Sequence, residues 1–287
     1  MDNNLIKRAS LTCLMCLQMF VAGCCCINIG SCSLNAKYEK TVHLSAPMAS
    51  GSNLSAQTHN GAIKIIGADV SECDVTAKIE ARAITDEDAQ KVAEETKVTL
   101  EPNGKGLIIK IARPSNMRNR SVSVSLDVTT PNQTSLDLVT HNGGVKITDI
   151  EGKITATTHN GGVTTENTTG ATRLKSHNGP ITCRNMSGDA QLNSHNGSVK
   201  AYYSEAAPSV CDISMTTHNG GIELIAPTDF SAKVDASTHN GSIDTNIAIT
   251  IMGKFSKSRL TGTIGTGEGK LHLETHNGSI KIRRLAD

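Results

Sequence analysis

The chain has 287 residues, 28 Lys and Arg against 27 Asp and Glu, and no Trp. Near-neutral charge removes the electrostatic case for a nucleic-acid binder, and three Tyr with three Phe are too few for a thick globular core. A thin core of Val, Ile, Leu, Ala and Thr needs no large rings, and abundant Thr, Ser, Asn and Gly suit short strands joined by tight turns.

Residues 1–23 read as a targeting segment. Lys7 and Arg8 precede an apolar run, 11–22, that is too short to span a bilayer comfortably. The run ends in Val21, Ala22, Gly23 and Cys24. That pattern resembles a bacterial lipobox, which implies cleavage before Cys24 and lipidation of its thiol. Acyl anchoring adds ~0.8 kcal/mol per buried methylene. The implied address is the cell envelope, facing the periplasm or the exterior, with the membrane as partner. Residues 24–37 read as a tether. Six of the nine cysteines lie at or before Cys32, and Cys73, Cys183 and Cys211 are scattered without metal-ligand spacing.

Residues 38–135 read as a strand-rich part containing one helix. Alternation from Tyr38 predicts a strand that Pro47 ends, and residues 75–83 alternate again. Thr85 caps a helix near 85–97: acidic Asp86, Glu87 and Asp88 favour its positive end, and Ala89, Val92, Ala93 and Thr96 share one side. Residues 98–101 and 107–111 form a hairpin around Asn103 and Gly104. Residues 113–120 read as a basic, solvated loop, and 122–128 as a strand that Pro131 ends.

Over 136–287 a repeat takes over, and 38–287 reads as one continuous domain. Thr/Ser-His-Asn-Gly stands at His59, His141, His159, His177, His195, His218, His239 and His276, taking eight of the ten histidines. Four consecutive copies are 18 residues apart; the later gaps are 23, 21 and 37. A fixed period near ~20 residues is the signature of a solenoid, because one turn cannot bury its inner face alone. With each His as origin, apolar residues alternate with period two: Val145, Val163, Ile181 and Val199, then Ile147, Thr165, Cys183 and Ala201. After Gly152, Gly170 and Gly188 come Ile154, Thr172 and Ala190, then Ala156, Leu174 and Leu192. Each coil therefore holds two short strands and two bends, and neighbouring coils pair ~4.8 Å apart.

Alternation also assigns directions. Thr or Ser points inward and His outward. Asn points inward at the corner, and Gly supplies unusual backbone angles there. The structural corners are Asn142 with Gly143, Asn160 with Gly161, Asn178 with Gly179, Asn196 with Gly197, Asn219 with Gly220, Asn240 with Gly241, and Asn277 with Gly278. Stacked Asn side chains can bond up and down the column. The longer gaps are insertions at bends, at 202–211 with Pro208, near Pro227, and over 251–273. The last copy, through Ile282, reads as the terminal strand, with Arg283 and Arg284 charging its exposed edge.

These residues carry a family resemblance. Val128, Thr129, Thr130 and Pro131, followed by residues 136–145, and Gly262 to Gly265, followed by residues 271–280, are similar to a bacterial adhesin-like family of unknown function, over most of 38–285. The family's motif is a Thr-x-Asn-Gly or Ser-x-Gly turn before an apolar strand; the constant His in the variable slot is a departure. The resemblance implies a β-solenoid on or facing the envelope and no catalytic residues.

The outward column of His141, His159, His177, His195, His218 and His239 is the sharpest lead. It reads either as a surface ladder beside the structural corner or as a metal site. A zinc site needs Zn–N distances of ~2.0–2.1 Å, and a flat row offers two or three ligands without a supporting shell. Catalysis has weaker support: Asp149, Glu151, Glu166 and Asp189 look scattered, and no hydrolase, zincin or P-loop motif is present. Tyr202 and Tyr203 are the only aromatic pair, and they read as cover for a bend.

The reading is all-β: a single-stranded, β-helix-like solenoid with about 18–23 residues per coil and one short helix. It is non-enzymatic, without a cofactor. Its role is structural or multivalent binding of an envelope protein or polysaccharide; the alternatives are metal binding along the His column and polysaccharide modification.

Overall fold

The computed structural model describes residues 34–252 and 256–285. Cys24, the targeting segment and most of the tether therefore lie outside the described residues.

The chain opens with β1 (Ala36–Pro47), β2 (Asn53–Asn60), β3 (Ile63–Ala68) and β4 (Glu72–Ala83). A helix, α1 (Asp86–Glu95), precedes the hairpin β5 (Lys97–Asn103) and β6 (Gly106–Ala112), and β7 (Ser121–Pro131) follows. The helix starts as its sequence requires: Thr85 Oγ1 accepts from the Asp88 backbone N–H at 3.2 Å, and Ala89, Val92 and Ala93 are its buried face. The hairpin turns through Gly104 at a φ of 62°.

The repeat supplies β8 (Ser135–Asn142), β9 (Val145–Glu151), β10 (Ile154–Thr158), β11 (Val163–Thr169), β12 (Thr172–Ser176), β13 (Ile181–Ser187), β14 (Ala190–Ser194) and β15 (Val199–Tyr203). It continues through β16 (Asp212–Asn219), β17 (Ile222–Ala226), β18 (Ala232–Asn240), β19 (Ile243–Thr245), β20 (Thr250–Ile251), β21 (Arg259–Ile264), β22 (Gly269–Asn277) and β23 (Ile280–Arg284).

Two sheets face each other. One has 11 strands in the order β1-β4-β7-β3-β9-β11-β13-β15-β17-β23-β19. The other has 12, in the order β20-β21-β18-β22-β16-β14-β12-β10-β8-β2-β6-β5. Each Asn-Gly corner carries the chain from the second sheet to the first, so every copy of the motif makes one rung. Rung strands pair in parallel and in register, with one shift between β13 and β15 after Cys183: Ala156 lies between Leu138 and Leu174, and Thr165 between Ile147 and Cys183. This is a β-solenoid. Its interior is a thin layer of Ile, Leu, Val, Ala and Met between the sheets, with all four Val145-type and all three Ile154-type positions buried.

Chain order and spatial order disagree twice. β2 and β3 pair directly with β8 and β9, so residues 72–131 form the end of the stack: β7 and β6 pair in parallel with β3 and β2, and β4 and β5 then add antiparallel beside them, with α1 between β4 and β5 in the chain. At the other end β22 lies between β16 and β18, and β23 between β17 and β19. The last copy is therefore an internal rung and not the terminal strand. Arg283 guards no edge; it donates to the Asp244 carboxylate on β19. The glycine-rich segment after β19 supplies β20 and β21, which run antiparallel and close the second sheet beside β18.

A second bend closes each central coil. Asp149, Asn167 and Asn185 adopt left-handed φ values of 58°, 52° and 50°, and Gly170 and Gly188 follow at 115° and 112°. The two amides bond along the stack, Asn167 Nδ2 to Asp149 Oδ1 at 2.7 Å and Asn185 Nδ2 to Asn167 Oδ1 at 2.8 Å. Asp149 is thus aligned with two asparagines rather than scattered, and short side chains that tolerate left-handed backbone explain its place.

Candidate functional site

Each residue of the Thr/Ser-His-Asn-Gly corner has its own job. The Thr or Ser is buried in all eight copies. Its hydroxyl donates to the glycine carbonyl one rung away: Thr158 Oγ1 to Gly143 O at 2.8 Å, Ser176 Oγ to Gly161 O at 2.8 Å, Ser194 Oγ to Gly179 O at 2.9 Å and Thr217 Oγ1 to Gly197 O at 2.7 Å. A valine would fill the same space and leave that buried or half-buried carbonyl short of a donor.

The asparagines form one unbroken amide ladder through eight rungs. Asn142 Nδ2 donates to Asn60 Oδ1 at 2.7 Å, Asn160 to Asn142 at 2.7 Å, Asn178 to Asn160 at 2.7 Å and Asn196 to Asn178 at 2.8 Å. Asn219 continues it to Asn196 at 2.8 Å, Asn277 to Asn219 at 2.8 Å and Asn240 to Asn277 at 2.7 Å. The ladder stands on the surface: seven of these side chains are exposed and Asn60 is half-buried, so they do not point inward as alternation implied. The corner breaks the period-two alternation, which carries both His and Asn outward.

The corner glycine is chosen for space rather than for angle. Gly143, Gly161, Gly179, Gly197, Gly220, Gly241 and Gly278 do not adopt left-handed backbone; of the eight only Gly61 does, at 140°. A Cβ on Gly161 would overlap the carbonyl oxygen of Gly143, and one on Gly179 that of Gly161, so the backbones of successive corners nest against each other.

The imidazoles are all exposed and all stacked. In spatial order the column runs His59, His141, His159, His177, His195, His218, His276, His239, with ring centroids 4.6–5.0 Å apart and planes within 12° of parallel. That spacing is the strand spacing of the sheet beneath. The structure therefore gathers all six predicted column residues, and adds His59 and His276. Desolvation beside its neighbours holds His59 below the ordinary imidazole value, helped by Arg113 and His141. His177 is lowered likewise, first by desolvation, then by His159, His195 and Lys175.

Parallel stacking bears on metal chemistry. An imidazole lone pair lies in its ring plane, so lone pairs on parallel rings do not converge on one ion ~2.0–2.1 Å from each. Two rings would have to leave the stack to share a cation. Among the described residues no three His, Cys, Asp or Glu side chains are grouped to hold one. His272 stands apart from the column on the same sheet, 3.8 Å from Asp235 and 3.5 Å from Glu274.

Among the described residues Cys73, Cys183 and Cys211 are buried free thiols. Burial pushes the Cys73 and Cys183 thiols up to about 12 and raises Cys211. Tyr203 is buried as well, its hydroxyl donating to Gly188 O at 2.9 Å, while Tyr202 donates to Glu223 at 3.1 Å. Neither ring is a free platform.

Two grooves flank the column on the outer face of its sheet. One, of about 870 Å³, is lined by His59, His141, His159 and His177 together with β6, Arg113 and the start of β7. The other, of about 490 Å³, is lined by His195, His218, His239 and His276.

A profile of the family described as Toastrack DUF4097 matches residues 26–283. A crystal structure of a candidate cell adhesion protein from Clostridium sporogenes is similar, with a TM-score of 0.37 and 11% identity, covering 86% of this chain and 100% of that one. No curated protein matches the chain.

Proposed function

The chain belongs to the Toastrack DUF4097 family, and from that premise we propose that it is a non-enzymatic, adhesin-like module of the cell envelope whose outer sheet face is a multivalent binding surface. One observation carries the reading. Parallel strands in register repeat the same outward positions on every rung, so eight stacked imidazoles stand in a straight column at 4.6–5.0 Å intervals. A surface of near-identical, closely spaced contacts gains avidity without any strong single site. The amide ladder and buried hydroxyls hold it rigid, so a repetitive partner is met at little ordering cost.

We assign its partner to the envelope, as a protein or polysaccharide, and its attachment to acyl chains on Cys24. Lipidation of Cys24 predicts that Cys24→Ser moves the protein from the membrane to the soluble fraction; an unchanged distribution contradicts the anchor. The binding surface is tested by retention on isolated envelopes. Substituting His195, His218 and His276 by Ala, one rung after another, lowers retention in graded steps if binding is multivalent. Loss of all retention with one substitution, or none with all three, contradicts it.

A further inference from the structure

We propose that the cleft at the His59 end of the column is a binding site for a small organic anion with a flat, apolar body. The cleft has a structural origin. β2 and β6 pair only between Leu54–Ala56 and Leu107–Ile109, although β2 runs on to Asn60 and β6 to Ala112. The strands diverge, and Val122 and Val124 of β7 line the gap. Its volume, about 870 Å³, falls within the ~300–1,000 Å³ of small-molecule sites.

The chemistry of the lining selects the ligand. Val139, 36% exposed, and half-buried Ile111 give it an apolar surface. Its charged residues are Lys110, Arg113 and Lys175, and no carboxylate lines it. Glu101 holds Lys110 at 2.6 Å, but Arg113 and Lys175 have no acidic partner among the described residues. Unpaired cations beside partly desolvating apolar walls favour an anion that brings its own apolar surface. His59 adds the preference for a flat body. It is the first ring of the column, stacked on His141 at 5.0 Å and 1°, and no described ring covers its second face. A planar ligand there extends the stack by one member, with its anionic group toward Arg113.

The imidazoles link this site to pH. His59 faces Arg113 and His141; Lys110, Lys175, His159 and His177 complete the charged and titratable lining. A bound anion relieves the repulsion that Arg113 and His141 exert, so binding takes up protons and strengthens in mild acid.

Anilinonaphthalene sulfonate, an apolar anion built on a flat naphthalene, is a direct probe. Titrated into the folded full chain and followed by its fluorescence, it is expected to fill one saturable site, several-fold more tightly at about pH 6 than at about pH 8. Arg113→Ala and Lys175→Glu are each expected to weaken that site by about tenfold, while Lys233→Ala, at the far end of the same sheet, leaves it unchanged. Circular dichroism of each variant confirms that the fold is retained. The proposal is overturned by three results: no saturable site, equal affinity in the Arg113 and Lys175 variants, or equally tight displacement by neutral Nile red.

Discussion

The ring of His276 stacks on His218 at 4.7 Å, although His239 comes between them in the chain, and His239 takes the other face of His276 at 4.6 Å. The last rung is therefore threaded between two made earlier, and the weak end of the solenoid is β19 with β20 rather than the C-terminal strand. Amide hydrogen exchange reads this directly, because opening free energy follows local packing and pairing. Amides of 269–284 are expected to exchange more slowly than those of 243–251. The reverse order would contradict the threading.

Nesting of the corner backbones predicts unequal costs for two Gly→Ala changes. At Gly161 the new methyl meets the Gly143 carbonyl, a backbone atom that cannot swing away; the expected loss is about 2–3 kcal/mol. At Gly104 the space is open and only the left-handed φ is penalised, so about 1 kcal/mol is expected. Urea unfolding of both variants compares them, and a Gly161→Ala protein as stable as the parent would remove the steric account of the corner.

Two buried threonines in one coil should respond oppositely to valine. Thr158 donates to Gly143 O, so Thr158→Val deprives a half-buried carbonyl of a donor and is expected to cost about 1 kcal/mol. Thr168 is equally buried, aligned with Ile150 and Met186, and its hydroxyl has no partner among the described residues. Thr168→Val is expected to be neutral or stabilising. Matching losses in both would show that hydroxyl bonding does not set the residue choice.

The lowered pKa values of His59 and His177 set the sign of an acid effect. Each ring releases its proton more readily in the folded chain than in the unfolded one. Below the unfolded value of about 6.5 the unfolded state therefore binds more protons, and stability falls as pH drops through that window. Tm by calorimetry is expected to be lower near about pH 5 than near about pH 8. His59→Gln and His177→Gln together should shrink the difference. An identical Tm at both pH values would argue against a stacked column that resists charging.

Parallel imidazoles also predict the outcome of a metal titration. Zinc binding measured calorimetrically at neutral pH is expected to be equally weak in the parent and in a variant with His141, His159, His177 and His195 all changed to Ala, since the in-plane lone pairs do not converge. A stoichiometric site present only in the parent would establish the alternative reading of the column.

Much was legible in the chain because its information is local and repeated. Period-two alternation around Val145, Ile147, Ile154 and Ala156 determines which side chains face inward, and the spacing of 18 residues determines that Ala156, Leu174 and Leu192 stack. Outward imidazoles follow from the same parity, while the helix capped by Thr85 and the hairpin at Gly104 follow from their own local capping and turn residues. The candidate column was legible for that reason. The grooves beside it were not, because they depend on how β6 and β7 pair at the end of the stack.

Tertiary structure alone decided the rest, because corners and neighbours obey steric and pairing rules that alternation does not encode. The corner turns Asn160 outward beside His159 and packs Gly161 against the Gly143 carbonyl, a contact between residues one coil apart. Rung order was equally hidden. Any Thr/Ser-His-Asn-Gly copy can stack on any other with the same hydrogen bonds and ring contacts, so identical motifs carry no record of which are neighbours. Only three-dimensional pairing places His276 between His218 and His239 and sets His59 directly on His141.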